Sequence, residues 1–301
     1  VGGPVTGLVV PAAFAEQTIR REGAPGKAWL DSLPGLADRY RRAWDLRLDG
    51  EPMHGYVGVV LPAERADGRP VVLKLGWQDT ETRGEPLALS TWDGQGAVLL
   101  LENSPDDGVM LLERLDAART LDHEPIGYAV ETAGALLRRL AVPAPAGLGR
   151  ELRVEAAKAA EELPGVWREL GEPFPRRLVD AAVEVCRELG PHAGRLLVNE
   201  DGHFQNVLAG TREKWLMIDP KPLAADAEFG AMALVWNRAT ESTVDYRMAA
   251  VVEAAELDAD RARAWALVRA VQNWLWMIED GDFDNPGFAA VPHIAHWAAG
   301  K

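Results

Sequence analysis

The β-like runs of this chain are concentrated before Leu115 and helical spacing dominates after it, a division that few architectures satisfy. Residues 57–61 (Val-Gly-Val-Val-Leu) and 70–75 (Pro-Val-Val-Leu-Lys-Leu) are short β-branched and aliphatic runs. The Asp-Gly pair at 67–68 between them marks a turn, so they predict a hairpin. Residues 97–101 and 109–115 flank Asn103-Ser-Pro-Asp-Asp-Gly108, a turn-rich connection that predicts a second strand pair. Between the pairs, residues 80–92 carry spaced charges and leucines and predict a short helix. Beyond Leu115, helical patterns cover 125–140, 150–163, 176–189 and 258–278, interrupted by short apolar runs at 195–198, 207–209 and 215–218. The expected fold class is α+β and two-lobed, with a β-rich lobe over residues 1–115 and a mainly helical lobe over 116–301.

Composition narrows the function. A formal net charge of −14 argues against binding nucleic acid by neutralising phosphates, and it leaves room for a cationic ligand. With 26% charged residues and no run of eighteen apolar positions, no membrane span is expected. Residues 7–15 resemble the apolar part of an export signal, but no basic residue precedes them and Pro11 interrupts them, so they are read as leading into a helix. Cys186 is the single cysteine and sits in an apolar helical pattern, which predicts a core thiol and fits a reducing cytoplasm.

The segment richest in chemistry is Leu196-Leu-Val-Asn-Glu-Asp-Gly-His-Phe-Gln-Asn-Val-Leu208, followed by Trp215-Leu-Met-Ile-Asp-Pro220. Read as two short strands forming a hairpin, it delivers Asp201, Asn206 and Asp219 to one end. A carboxylate that accepts a hydroxyl proton, with an amide and a second carboxylate that hold Mg²⁺ against phosphates, is the set that phosphoryl transfer requires. Asp, Asn, Gly and His also form ordinary turns, and His203 is read as a structural histidine of this loop.

Asp-x-His-x-x-Asn followed by a strand ending Ile-Asp-Pro-Lys resembles the catalytic and metal loops of the aminoglycoside phosphotransferases, which share the protein-kinase-like fold. Pro220-Lys-Pro-Leu223 and Val271-Gln-Asn-Trp-Leu-Trp-Met-Ile-Glu-Asp280 bring the likeness nearer to the streptomycin 6-kinase and hydroxyurea-type phosphotransferases. The resemblance implies Asp201 as catalytic base, Asn206 and Asp219 as Mg²⁺ ligands, and ATP as phosphoryl donor. Where many members carry His-Gly before the aspartate, Asn199-Glu200 stand here, and Gly202 stands where leucine is common. Glu200 is expected to raise the proton affinity of Asp201 if both carboxylates face the cleft.

The resemblance also makes Lys74 the strand lysine that meets the nucleotide phosphates. Its expected partner is Glu85, with Glu81 as the rival; Pro86 requires a helix carrying Glu85 to begin near that residue. Gly55-Tyr-Val-Gly58 is the weakly marked phosphate-covering loop, and Glu113 and Leu115 fall where main-chain groups would meet a purine. For the acceptor, Trp274 and Trp276 with Glu279, Asp280, Asp282 and Asp284 offer aromatic faces beside carboxylates, against the alternative of core tryptophans and a solvated helix end. Asp226 and Glu228 are expected to brace the metal loop. The implied activity is ATP-dependent phosphorylation of a hydroxyl on a small cationic aminoglycoside-like antibiotic, inactivating it. The alternatives are a small-metabolite kinase and a catalytically impaired nucleotide-binding homologue.

Overall fold

Strict alternation of aliphatic residues decides which face of the first sheet is buried. The computed structural model describes residues 7–281 and 288–300. They divide into one unit running to Gly94 and including Val98–Leu115, and another holding Gln95–Ala97 and the chain from Asp116 onward. The first unit contains α1 (Ala12–Ala43), β1 (Leu46–Leu48), β2 (Met53–His54), β3 (Gly58–Arg65), β4 (Pro70–Gly76), α2 (Glu85–Trp92), β5 (Leu100–Ser104) and β6 (Val109–Glu113). Its strands form an antiparallel sheet in the order β1-β3-β4-β6-β5, with β2 also on β3. The expected β3–β4 hairpin turns at Gly68, whose φ of +82° suits a residue without a Cβ. Val59, Leu61, Ala63, Val71, Leu73, Leu75, Val109 and Leu111 share a buried cluster with Phe14, Leu30, Leu33, Ala37 and Tyr40 of α1. Lys74, out of phase with these, lies on the opposite face of β4.

One expectation needs correction here. The strand expected over 97–101 begins at Leu100, because Gly94 and Gly96, both at positive φ, turn the chain and Ala97 instead bridges Met217 of the second unit. Most of α1 went unannounced, because Pro25 and Pro34 interrupt its pattern and Gly23 breaks it into two helical segments at φ 62°, ψ −137°.

The second unit contains β7 (Asp116–Thr120), α3 (Ile126–Leu140), β8 (Val142–Pro143), α4 (Leu152–Glu169), α5 (Arg176–Leu189), β9 (Leu196–Asn199), β10 (Val207–Ala209), β11 (Trp215–Met217), β12 (Pro222–Ala225), α6 (Met232–Trp236), α7 (Val244–Ala255), α8 (Ala259–Asp280) and α9 (Val291–Ala298). Its core gathers Leu178, Ala182 and Cys186 of α5 with Trp265, Val268 and Val271 of α8 and Ile294 of α9. Asp258 caps α8, accepting from the Arg261 N–H at 2.8 Å. The expected single hairpin resolves into two small sheets. β10 pairs with β11 across a short turn, whereas β9 pairs with β12 and β8. The four residues of β12 are all buried, and it is this strand that lies beside β9.

Candidate active site

The loop after β9 is organised by Asn199, which is 1% exposed. Its Oδ1 accepts from the backbone N–H of Asp201 and of Lys221, each at 3.0 Å. Glu200 N–H donates to the Lys221 carbonyl at 3.2 Å, so the stretch after Asp219 is bonded to the loop carrying Asp201. Within that loop the Asp201 carbonyl accepts from His203 N–H at 2.9 Å and from Asn206 Nδ2 at 3.0 Å. Ile218 N–H then donates to the Asn206 carbonyl at 2.8 Å. These bonds bring Asp201, Asn206 and the segment of Asp219 together even though β9 and β11 belong to different sheets. Asp219 itself adopts φ 51°, a left-handed conformation that is strained for a residue with a side chain.

The Asp201 carboxylate is partly exposed and has two cationic or polar neighbours beyond hydrogen-bond reach. Lys221 Nζ lies 3.7 Å from its Oδ2 and His203 Nε2 lies 3.9 Å from its Oδ1. Glu200 does not share this environment. Its carboxylate is buried, bonded to Arg150 Nη1 at 2.7 Å and Arg269 Nη1 at 3.0 Å. Burial pushes its proton affinity up, but Arg269 and Arg150, with a smaller contribution from Lys221, outweigh that and hold the carboxyl below its ordinary range. The expected effect of Glu200 on Asp201 required both carboxylates to face one cleft; two guanidiniums instead turn Glu200 into the protein.

The donor set suits a hard cation. Asn206 uses its Nδ2 on the Asp201 carbonyl, a bond that does not engage its Oδ1, the atom of the amide able to ligate a cation. With the Asp219 carboxylate this makes two oxygen donors, the number expected where nucleotide phosphates and water complete the coordination of Mg²⁺. Among the described residues no group of three or more His, Cys, Asp or Glu side chains is placed to hold a metal, which sets this site apart from a self-contained protein cage.

In the first unit, Lys74 Nζ meets Glu85 Oε1 at 2.6 Å and Oε2 at 2.7 Å, both residues buried. Glu85 opens α2 with Pro86 in its first turn, as the proline requires, whereas Glu81 lies in the preceding turn. Gly58 starts β3 just after the β2–β3 turn, and a Cβ there would sit 3.0 Å from the Leu75 carbonyl oxygen. Glu113 is buried, its N–H donating to the Leu99 carbonyl at 3.0 Å and its Oε1 accepting from Leu99 N–H at 2.8 Å. That pairing engages the Glu113 amide within the first unit. Leu115 is half-buried at the end of the unit.

Of the acceptor candidates, Trp274 is packed, whereas Trp276, Glu279 and Asp280 are exposed at i, i+3 and i+4 near the end of α8. Trp274 stacks on Phe174 with centroids 4.3 Å apart and presents an edge contact to His296, so it is largely packed. Trp276 is 49% exposed, and Glu279 and Asp280 are exposed in the last turn of α8. Asp282 and Asp284 lie outside the described residues. Asp226 braces α8 rather than the metal loop, accepting from Trp265 Nε1 and Arg261 Nε, both at 2.8 Å, and from Gly194 N–H at 2.6 Å. Glu228 accepts from the Asp258 N–H at 3.1 Å, at the start of the same helix. Sequence reading gave no role to Lys221, Arg150 or Arg269. Lys221 stood in the motif as a mere marker, and neither arginine has any local signal because each is brought to Glu200 from a distant segment.

Residues 43–281 match the model of a family described as aminoglycoside/hydroxyurea antibiotic resistance kinase. The chain is 41% identical over 281 residues to a hydroxyurea phosphotransferase of Kitasatospora aureofaciens, covering 92% of this chain and 82% of that protein. It is 39% identical over 286 residues to a streptomycin 6-kinase of Streptomyces griseus, covering 90% and 92%. Among solved structures, a choline kinase of Streptococcus pneumoniae superposes with a TM-score of 0.63 at 13% identity, over 88% of this chain and 98% of that one. A thermostable mutant of the aminoglycoside phosphotransferase APH(4)-Ia, in ternary complex with ADP and hygromycin B, gives 0.60 at 14% identity, over 87% and 97%. At such identities these structures speak to the fold alone, which is kinase-like.

Proposed function

The chain belongs to the aminoglycoside/hydroxyurea antibiotic resistance kinase family, and on that premise we propose that it transfers the γ-phosphoryl group of ATP to a hydroxyl of a small antibiotic-like molecule. The observation that carries this reading is the backbone network that holds Asp201, Asn206 and the segment of Asp219 in one constellation. Asp201 would orient the acceptor hydroxyl and take its proton. The acceptor oxygen forms its bond to phosphorus as the bond to the β,γ-bridging oxygen breaks, and that electron pair leaves with ADP.

Asn206 and Asp219 would hold Mg²⁺, which supplies neutralisation of the phosphate charge. Lys74, fixed by Glu85, would meet the nucleotide phosphates, while the β2–β3 turn ending at Gly58 would offer backbone amides and Leu115 a main-chain contact to the base. Rate enhancement would come from positioning and charge stabilisation. The exposed Glu279 and Asp280 and the net charge of −14 favour a cationic acceptor. The lone buried Cys186 suits a reducing, cytoplasmic setting.

The test is ADP release with ATP and Mg²⁺ in the presence of streptomycin, of hydroxyurea, or of neither, with the product identified by mass spectrometry. Acceptor-dependent release with one phosphoryl group added to the acceptor is expected. Absence of phosphoryl transfer to streptomycin, hydroxyurea and a panel of aminoglycosides, despite nucleotide binding, would overturn the reading.

A further inference from the structure

Helix α1 meets the β2–β3 turn and its surroundings at three points, all within the first unit. Phe14 contacts the His54 ring of β2 with centroids 5.3 Å apart. Trp29 makes an edge contact at 5.6 Å with Trp77, the residue that follows β4. Between them in sequence, Arg21 donates from Nη1 to the Tyr56 carbonyl at 2.9 Å, and its guanidinium carbon lies 4.5 Å from the centre of the Tyr56 ring. Glu22 accepts from Arg21 Nε at 2.6 Å and steadies the guanidinium at a second nitrogen.

The turn carries two further bonds. Gly55 N–H donates to the Gly58 carbonyl at 3.0 Å, and Trp77 N–H to the Val57 carbonyl at 2.7 Å. With Arg21, the three successive carbonyls of Tyr56, Val57 and Gly58 are each engaged by a donor. A peptide unit is planar and trans, so a carbonyl held in one direction turns the next N–H the opposite way. The bond from Arg21 to the Tyr56 carbonyl therefore directs the Val57 N–H away from the guanidinium. Tyr56 is 60% exposed, so packing of its side chain does little to hold that peptide. Rotation of the peptide would exchange an N–H for a carbonyl on the face opposite Arg21, reversing the sign of the dipole offered to an anion.

We propose that Arg21 is a positioning residue for nucleotide binding, which holds the Tyr56–Val57 peptide so that the turn presents its amides to the nucleotide phosphates. The inference rests on the reading of the β2–β3 turn as the phosphate-covering loop. The planar fork of arginine bonds the carbonyl while stacking on the ring. Arg21→Lys keeps the charge without the fork, and Arg21→Met keeps the stem without either.

The experiment compares wild type, Arg21→Met, Arg21→Lys and Gly58→Ala, each as the full chain. Affinities for Mg²⁺–AMP-PNP, Mg²⁺–ADP and adenosine are measured by calorimetry. Amide exchange of residues 55–58 is followed by mass spectrometry with and without Mg²⁺–AMP-PNP. Arg21→Met should weaken both phosphate-bearing ligands about five- to tenfold, with Arg21→Lys intermediate and adenosine within about twofold of wild type. The amides of residues 55–58 should exchange faster in Arg21→Met and lose their protection by Mg²⁺–AMP-PNP. Affinities of Arg21→Met within about twofold of wild type for every ligand, or an equal loss that includes adenosine, would overturn the role of Arg21. Gly58→Ala strikes the turn directly, since its Cβ would lie 3.0 Å from the Leu75 carbonyl oxygen. If Gly58→Ala binds AMP-PNP as wild type does and nucleotide gives the wild-type turn no protection, the phosphate reading of the turn fails and the inference falls with it. Weakened AMP-PNP binding in Gly58→Ala alone leaves that reading in place and removes Arg21 from it.

Discussion

Arg269, in the middle of α8, reaches the buried Glu200 carboxylate at 3.0 Å and so ties the loop of Asp201 to the longest helix of the second unit. Arg150, just before α4, holds the other oxygen at 2.7 Å. Removing the charge from such a site leaves two guanidiniums with an incomplete partner, which costs about 3–5 kcal/mol. Glu200→Gln should therefore lower the denaturation midpoint markedly, and the pH dependence identifies the cause. The folded pKa of Glu200 lies below its ordinary value of 4.5, so its contribution is full above that value and is lost as pH falls through the folded one. Urea unfolding from pH 7 to pH 3 should show a steeper acid loss in wild type than in Glu200→Gln. Parallel curves would mean that Glu200 is not the titrating group.

Lys74 and Glu85 make a buried, doubly bonded pair in the first unit. Loss of a charge-assisted bond to a phosphate costs about 1.5–3 kcal/mol, or roughly ten- to hundredfold in kcat/KM for ATP. Lys74→Met should show that loss in steady-state kinetics, and Glu85→Gln a smaller one with the lysine still present. Equal kcat/KM in wild type and Lys74→Met would remove Lys74 from the nucleotide site.

Gly202 follows Asp201 and has too little room for a leucine side chain. A Cβ there would lie 3.2 Å from Met217 Cε and 3.3 Å from Leu137 Cδ2. Both neighbours are side-chain ends, so Gly202→Ala should be tolerated. Gly202→Leu should destabilise by about 1–3 kcal/mol through overpacking. Thermal and urea unfolding of the two variants separates these outcomes, and a leucine variant as stable as wild type would refute the packing argument.

Burial pushes the Cys186 thiol up to about 11, far from the range in which thiolate is abundant. A disulfide reagent at pH 8 should leave the folded protein unmodified over hours and titrate one thiol after unfolding in guanidinium. Rapid reaction of the native protein would contradict the packing of α5.

The alternation in β3 and β4, the N-terminal proline of α2 and the cap at Asp258 are local features, and each of those elements lies close to where its residues predicted it. The segment from Asp201 to Asp219 stood out as a motif because its carboxylates and amide are close together in the chain. What escaped is non-local. The pairing of β9 with β12 depends on strand neighbours that no short window contains, and the burial of Glu200 depends on arginines drawn from positions 150 and 269. Helix α1 escaped for a different reason, since its prolines and Gly23 erase the periodicity that announces a helix.

The most direct measurement is phosphoryl transfer from ATP to streptomycin or hydroxyurea by wild type and by Asp201→Asn, followed by mass spectrometry of the acceptor alongside calorimetric titration of AMP-PNP. Loss of a positioned proton acceptor should lower kcat by about 100- to 10,000-fold while nucleotide affinity is retained. Equal turnover by the two proteins would contradict the central claim that Asp201 is the base of this kinase.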